Sequence, residues 1–443
     1  MRRLSTSLAS VLFASMTLIA ATARAACPLQ HATNALPPAG MQPSPAQSLN
    51  ENFPTSASNT GGAWQQIDFK SNPQGYADAI RQAAKASIRI QNGKIQIDPT
   101  MWWTVPFMNY TNSGREHFNG LTRERTPNPR DLAPNSPGGT QVWAVGWYNA
   151  AGAYQFGKIW QDPCQPNEAQ AKSLPDGTVS VKMLFTTAPA TAVPNLAGAP
   201  EIQAAIDPTP AGGLANARVA GVVRLLQVDF AVKDPRSTQT GWVFGTFAWI
   251  APRTGDGVWD SLQLVGLHWG NDPGKTSNLQ EGFINPAMQG KVFGWPERPF
   301  MGFLGRANGP ADNKSSACLS CHARAQLPRA NGGLVGTMPN LQNAPAVQAH
   351  LTKYFQNVRA GTLADAQPNA IPFDYSLQVM NAFEHHCAAC AVGDVSGSAP
   401  KVCKLVSATQ NLQQCAGHMM EAFSNFSARP ALRALLQGLP DRQ

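Results

Sequence analysis

The stretch Trp242-Val243-Phe244-Gly245-Thr246-Phe247-Ala248-Trp249-Ile250 is apolar on both faces of the strand that its aromatic and β-branched residues predict. A strand of that kind lies in the middle of a sheet or beneath a cofactor. The segments before it alternate instead. Leu226, Val228, Phe230 and Val232 share one face, with Gln227 and Asp229 opposite; Val179, Val181, Met183 and Phe185 share another, with Ser180 and Lys182 opposite. Ile88 and Ile90 are joined to Ile95 and Ile97 through Asn92-Gly93, the dipeptide favoured in tight hairpin turns. Ahead of that hairpin, Gly75 to Ala86 predicts a helix. Pro- and Gly-rich connections separate these segments, so residues 61–300 are expected to form a β-rich, antiparallel domain.

After residue 300 the pattern changes. Asn343 and Pro345 open a helix carrying Val347, Leu351, Tyr354, Phe355 and Val358 at helical spacing, and Gly361 closes it. Ser376 to Cys390, Val406 to Phe426 and Arg429 to Leu439 predict three more helices. The fold class is therefore α+β: an antiparallel β-rich body, then residues 301–443 as an attachment segment and helical C-terminal tail. With 443 residues, 11 Trp and 19 Phe, the chain can fill the core of two modest domains.

Where the β-rich body passes into the helical tail stands Ala317-Cys318-Leu319-Ser320-Cys321-His322. Two cysteines two residues apart, followed at once by histidine, are the attachment signature of a c-type haem. Each thiol adds to one haem vinyl group, and the two-residue gap lets both reach one edge of the macrocycle. The adjacent His322 then lies beneath the ring as proximal iron ligand. A thioredoxin-like dithiol would want a βαβ setting, which is absent from the pattern. A zinc site would want a second ligand pair, but Cys387-Ala-Ala-Cys390 lies far downstream and leaves the adjacent histidine unexplained.

The amino-terminal residues agree with that signature. Arg2 and Arg3, the apolar run Leu8 to Ala20 and Ala23-Arg24-Ala25 read as a signal peptide over residues 1–26, with an apolar run too short to span a membrane. Haem is joined to c-type apoproteins outside the cytoplasm, so a periplasmic or secreted location is expected. There Cys27, Cys164, Cys387, Cys390, Cys403 and Cys415 are expected to form disulfides. The last four staple the tail in one of three pairings. Residues 27–60, rich in Pro, Ala, Ser, Asn and Gln, read as a linker or extended arm. The formal charge of +8 falls to +5 when Arg2, Arg3 and Arg24 leave with the signal peptide. No Lys/Arg run is present, so nucleic acid is not implied, and no further apolar run predicts a membrane span.

In its order of pieces the chain resembles the lysine-cross-linked, hydroxylamine-oxidising monohaem cytochromes and their uncross-linked relatives, the β-sheet cytochromes c-prime. The likeness rests on Pro175-Asp-Gly-Thr-Val-Ser-Val-Lys182, on Gly241-Trp-Val-Phe-Gly-Thr-Phe247 and on Ala317 to Ala323, in islands over about residues 140–325. It implies that Lys182 is the residue that attacks the haem edge. Alternation alone accounts for Lys182 as an ordinary residue on the polar face of a strand. This chain is also far longer than the family pattern, with inserted segments and a helical tail after the haem motif.

The sixth iron position decides between functions. Met338, in Gly336-Thr337-Met338-Pro339, resembles the Met-Pro ligand loop of small cytochromes c. Met380 fits equally well as a core residue of its helix. His268 is read as facing the haem or as a hydrogen-bonded core residue, and His385 and His386 accompany disulfide chemistry, since Ala391 stands where a second haem motif would need histidine. His418, three residues after Cys415, offers a weaker metal-binding reading. No nucleophile motif, phosphate-binding loop or acid pair marks a catalytic residue. The expected function is an exported monohaem c-type cytochrome, with one covalent haem c and its iron, exchanging electrons with a redox partner protein. The alternative is a haem enzyme or gas-binding protein with an open distal site, oxidising hydroxylamine or another small nitrogen compound.

Overall fold

The structure, a computed structural model, describes residues 46–57, 61–108, 115–209, 218–251, 257–288, 302–330, 344–391 and Cys403. Helix α1 (Pro73–Ser87) starts with Pro73 at its first position and the Asn72 side chain accepting from the Gly75 amide at 2.9 Å. It leads directly into the hairpin β1 (Ile88–Gln91) and β2 (Lys94–Ile97), whose two turn residues, Asn92 and Gly93, both have positive φ, 51° and 70°. That is the twist-matched turn the dipeptide predicts.

The main sheet is antiparallel throughout. Its strands are β3 (Thr122–Arg123), β4 (Val142–Tyr148), β5 (Val179–Thr186), β6 (Glu201–Ile206), β7 (Val219–Lys233), β8 (Trp242–Trp249), β9 (Leu262–His268) and β10 (Gly282–Ile284). They are ordered β10-β9-β8-β7-β5-β4-β3, with β6 paired to the first half of β7. The twice-apolar stretch is β8, buried at every position and held between β7 and β9, as its pattern predicts. Helices α2 (Ala150–Ile159) and α3 (Glu168–Ala171) link β4 to β5. Helix α4 (Cys318–His322) carries the CxxCH motif. It is followed by β11 (Gln326–Leu327), α5 (Ala344–Lys353), β12 (Ile371–Pro372), which pairs with β11, and α6 (Leu377–Ala391). The Val347–Val358 pattern thus forms helix only to Lys353; Gly361 sits eight residues later in a turn, at φ 73°.

Both faces of the sheet are covered. One packs against α1 and the β1–β2 hairpin, where Trp147, Val181, Met183, Val228 and Phe247 meet Tyr76, Ile80 and Ile88. The other is shared with the segment after residue 300. Tyr148, Ala231, Trp242 and Phe244 of the sheet cluster with Phe156 of α2, Leu319 of α4 and Met380 and Phe383 of α6. Met380 is a core residue, fully buried. The arm is not loose where it is described: Ser48 and Asn50 are buried, and the Ser48 carbonyl accepts from the Trp147 indole at 2.6 Å. No helix among the described residues is long and apolar enough to cross a membrane. Residues 1–26, Cys27, Met338, Cys415, His418 and the expected helices 406–426 and 429–439 lie outside the described residues.

Candidate haem-attachment site

Strand register lines up two rows of side chains on the second face of the sheet. Gly146, Lys182, Asp229 and Thr246 are successive partners across β4, β5, β7 and β8. One step along, Tyr148, Ser180, Ala231, Phe244 and His268 are partners in the same way. Period-two alternation reads the Ser180–Lys182 face as polar, and so it is, but α4, α6 and residues 308–316 lie over it. The space between is a cleft, partly open to solvent, lined by Lys182, Asp229 and Phe244 from the sheet and by Cys318, Cys321 and His322 from α4. The structure therefore brings Lys182 and the CxxCH motif onto one cavity. Gly146 makes room for the lid: a Cβ there would stand 2.4 Å from Nε2 of Gln378 on α6.

Helix α4 is a single short turn, and its exposed amides find partners outside it. Cys318 N donates to the Ala307 carbonyl at 3.4 Å, and Leu319 N donates to His268 Nε2 at 3.2 Å. The Ser320 hydroxyl accepts from Ala317 N at 3.1 Å. The i, i+3 spacing puts both thiols on one side of this turn. His268 is thus the hydrogen-bonded core residue of the two readings, and it caps the CxxCH turn. Its Nε2 acts as acceptor, so the proton belongs on Nδ1, and burial holds its pKa down at about 3, keeping it neutral. Replacing His268 with Ala is expected to lower stability by about 2 kcal/mol, because Leu319 N–H is left buried and unpaired. Gln, which offers an amide oxygen at similar reach, is expected to restore most of it. Equal thermal unfolding midpoints for the Ala and Gln variants would remove the capping role.

His322 is oriented by the backbone. Its Nδ1 meets the Tyr375 carbonyl oxygen at 2.9 Å, which leaves Nε2 as the ring atom for a ligand. Burial, against a smaller upward pull from that carbonyl, lowers its pKa to about 4, so the imidazole is neutral and ligand-competent. The thiols go the other way. Burial and the Asp312 carboxylate push Cys321 up to about 11, and Cys318 is raised further. Cys318 and Cys321 are free, whereas Cys387 and Cys403 form a disulfide and Cys164 and Cys390 are likewise oxidised. Of the bonds that those three pairings allow, Cys387–Cys403 is formed; Cys415 lies outside the described residues. No group of three or more His, Cys, Asp or Glu side chains among the described residues is placed to hold a metal ion by itself. The His386 ring is engaged elsewhere, with Nε2 at 3.1 Å from the Pro163 carbonyl.

Opposite the motif, the cavity wall is ionic. Lys182 Nζ lies 2.8 Å from Glu124 Oε1, and 22 % of the lysine side chain is exposed. Burial would lower its pKa, but Glu124, with Asp229 and Asp312 behind it, outweighs burial and holds the ammonium charged. Gln227 Nε2 donates to Asp229 at 3.0 Å and to Asp312 at 3.2 Å, bridging the two carboxylates, and the Thr246 hydroxyl donates to Asp229. Burial and the Asp312 charge raise Asp229 to about 7. A carboxyl raised in the folded state contributes stability below its unfolded value of 3.8, which is lost as pH rises through about 7. Asp229→Asn is therefore expected to gain on the order of 1 kcal/mol over wild type at pH 8 and less at pH 5, read from denaturant midpoints. A gain larger at pH 5 would contradict it.

The sequence marked Cys318, Cys321, His322 and Lys182, but not Glu124, Asp312 or Tyr375. Glu124 and Asp312 stand in no motif, and Tyr375 acts through a backbone oxygen that any residue supplies. The residues fit a covalent haem: two free thiols on one side of a helical turn and an imidazole with its rear nitrogen anchored, all lining one cleft. No protein-family model, curated protein or solved structure matches this chain, so the reading rests on its own residues.

Proposed function

We propose that this chain is an exported c-type haem protein that carries one covalent haem and passes single electrons to and from a redox partner protein. The observation that carries the reading is the pair of free thiols beside an anchored imidazole, on a cavity wall, in a chain whose other described cysteines are oxidised. Cys318 and Cys321 would hold the haem through thioethers, and His322 Nε2 would ligate the iron. Bound there, the haem supplies a one-electron iron couple. The protein's own part is to fix the imidazole through the Tyr375 carbonyl and to pack Phe244 4.8 Å from the His322 ring. Oxidised tail cysteines accord with a periplasmic or secreted location. In this reading Met338, which lies outside the described residues, would supply the sixth ligand.

The ionic wall favours a second reading, a haem enzyme or gas-binding protein with an open distal position. Lys182, Glu124, Asp229 and Asp312 line the cavity that holds the motif, and such groups are suited to moving protons at a small substrate. Taken with the resemblance, hydroxylamine or another small nitrogen compound is the substrate class, and Lys182 would be joined to the haem edge.

Absorption spectra of purified holoprotein, oxidised, reduced and reduced under carbon monoxide, separate the two. A sharp reduced α-band unmoved by carbon monoxide is the expected mark of an electron carrier. A carbon monoxide-sensitive spectrum supports the open-site reading, and mass spectrometry of the haem peptide then tests for a bond to Lys182. Absence of covalent haem from exported protein overturns both.

A further inference from the structure

His322, on the cleft wall, is the first ring of an aromatic row whose other members, Phe244, Tyr375 and Trp242, are buried. Phe244 lies 4.8 Å from it, Tyr375 5.9 Å from Phe244, and Trp242 6.0 Å from Phe244 and 6.1 Å from Tyr375. The two terminal rings differ in what holds their polar hydrogens. The Trp242 indole N–H donates at 3.1 Å to a carboxylate oxygen of Asp374. The Tyr375 hydroxyl donates to the backbone carbonyl of Val358.

We infer that Trp242 is a redox-active relay, giving an electron to the attached haem when a peroxide oxidises it, so that the chain supports one-electron oxidation of small donors at the far end of the aromatic row. This rests on the second haem reading above, in which the distal position of the iron is open and peroxide can reach it. The overall reaction consumes one peroxide and two donors: ROOH + 2 AH gives ROH + H2O + 2 A•. The peroxide O–O bond takes two electrons, one from the haem and one from the Trp242 indole, and the donors return both, releasing the two protons that complete the alcohol and the water.

Tyrosine is the poorer relay because its oxidation expels the phenolic proton, and a backbone carbonyl is no base. An indole can keep its proton and hold a positive charge, which the Asp374 carboxylate at hydrogen-bond distance favours by Coulomb attraction. Lys233, 2.5 Å from the other oxygen of Asp374, offsets part of that attraction without occupying the oxygen that faces the indole. An exit lies close by. Asp374 also accepts from the Gly361 amide at 3.0 Å, and Gly361 adjoins exposed Ser173 and Thr362.

The test uses holoprotein whose covalent haem has been verified by a haem stain after denaturation. It is mixed with one equivalent of hydrogen peroxide, frozen, and read by electron paramagnetic resonance. The expected result is a protein radical whose hyperfine structure narrows with ring-deuterated Trp and not with ring-deuterated Tyr. That signal is expected to be lost in Trp242→Phe and kept in Tyr375→Phe, which retains the carbonyl that holds His322. The label experiment on wild type stands even where Trp242→Phe does not fold. A tyrosine-derived radical, a signal that survives Trp242→Phe, or a haem that reacts without forming any radical overturns the relay, as does a haem spectrum indifferent to peroxide. A negative haem stain instead overturns the haem reading itself.

Discussion

Serine at both Cys318 and Cys321 is expected to leave a folded protein from which all haem is lost under denaturing conditions, while wild type keeps its haem on the chain. The fold is expected to survive because neither thiol is buried in the apolar core. Both are half-buried at the margin of that core, on the cavity wall, and Cys318 Sγ lies 3.4 Å from the Asn308 side-chain oxygen, which a serine hydroxyl also satisfies. The turn that carries them is held by Ala307, His268 and Ser320, none of which changes. The cost to stability is about 1 kcal/mol, small against the roughly 5–15 kcal/mol of an ordinary domain. With His322 untouched and its Nδ1 still on the Tyr375 carbonyl, the variant is expected to bind haem reversibly through the iron alone. Each single variant keeps one thioether and therefore a haem-stained band. Single and double variants together separate attachment from ligation: a haem-stained band that persists in the double variant would show that these cysteines are not the attachment residues. A double variant that no longer folds would show that the thiols serve packing instead.

How far the sequence reads the fold depends on the kind of signal. β8 was legible because an unbroken apolar stretch has one stable place, the middle of a covered sheet. The Asn92-Gly93 turn was legible because few dipeptides accept positive φ twice. β4 and α2 carried no comparable mark. Val142–Tyr148 is apolar on both faces and passes within two residues into a small-residue helix, so no period separates one from the other. The site was half legible. CxxCH is a local pattern, and its cysteines and histidine needed no tertiary information. The partners of Lys182 did need it. Alternation places Ser180 and Lys182 on the polar side of β5, but whether that side meets water or a cavity depends on residues more than a hundred positions away, on α4 and α6. The bare Gly146 that lets Gln378 approach is the only local trace of that covering.

Asp374→Ala is expected to cost about 3–5 kcal/mol, enough to unfold a marginal domain near physiological temperature. The carboxylate sits at a crossing of four donors: Lys233 Nζ at 2.5 Å, Leu174 N at 2.7 Å, Gly361 N at 3.0 Å and the Trp242 indole at 3.1 Å. Removing it strands the Lys233 ammonium, whose side chain is 8 % exposed, without a counter-charge. It also releases a strained turn, because Asp374 and Tyr375 both adopt positive φ, 47° and 67°, a conformation that costs side-chain-bearing residues about 1–3 kcal/mol each. That turn aims the Tyr375 carbonyl at His322, so the damage reaches the candidate haem-attachment site through the backbone. Lys233→Met in the Asp374→Ala background separates the two contributions. If the stranded charge dominates, the double variant is expected to recover at least half of the lost stability in denaturant titration, since a methionine stem can fill the lysine channel. If the turn dominates, stability stays low while the double variant still loses the fixed orientation of His322. Full recovery of both stability and haem spectrum would show that Asp374 serves only to neutralise Lys233.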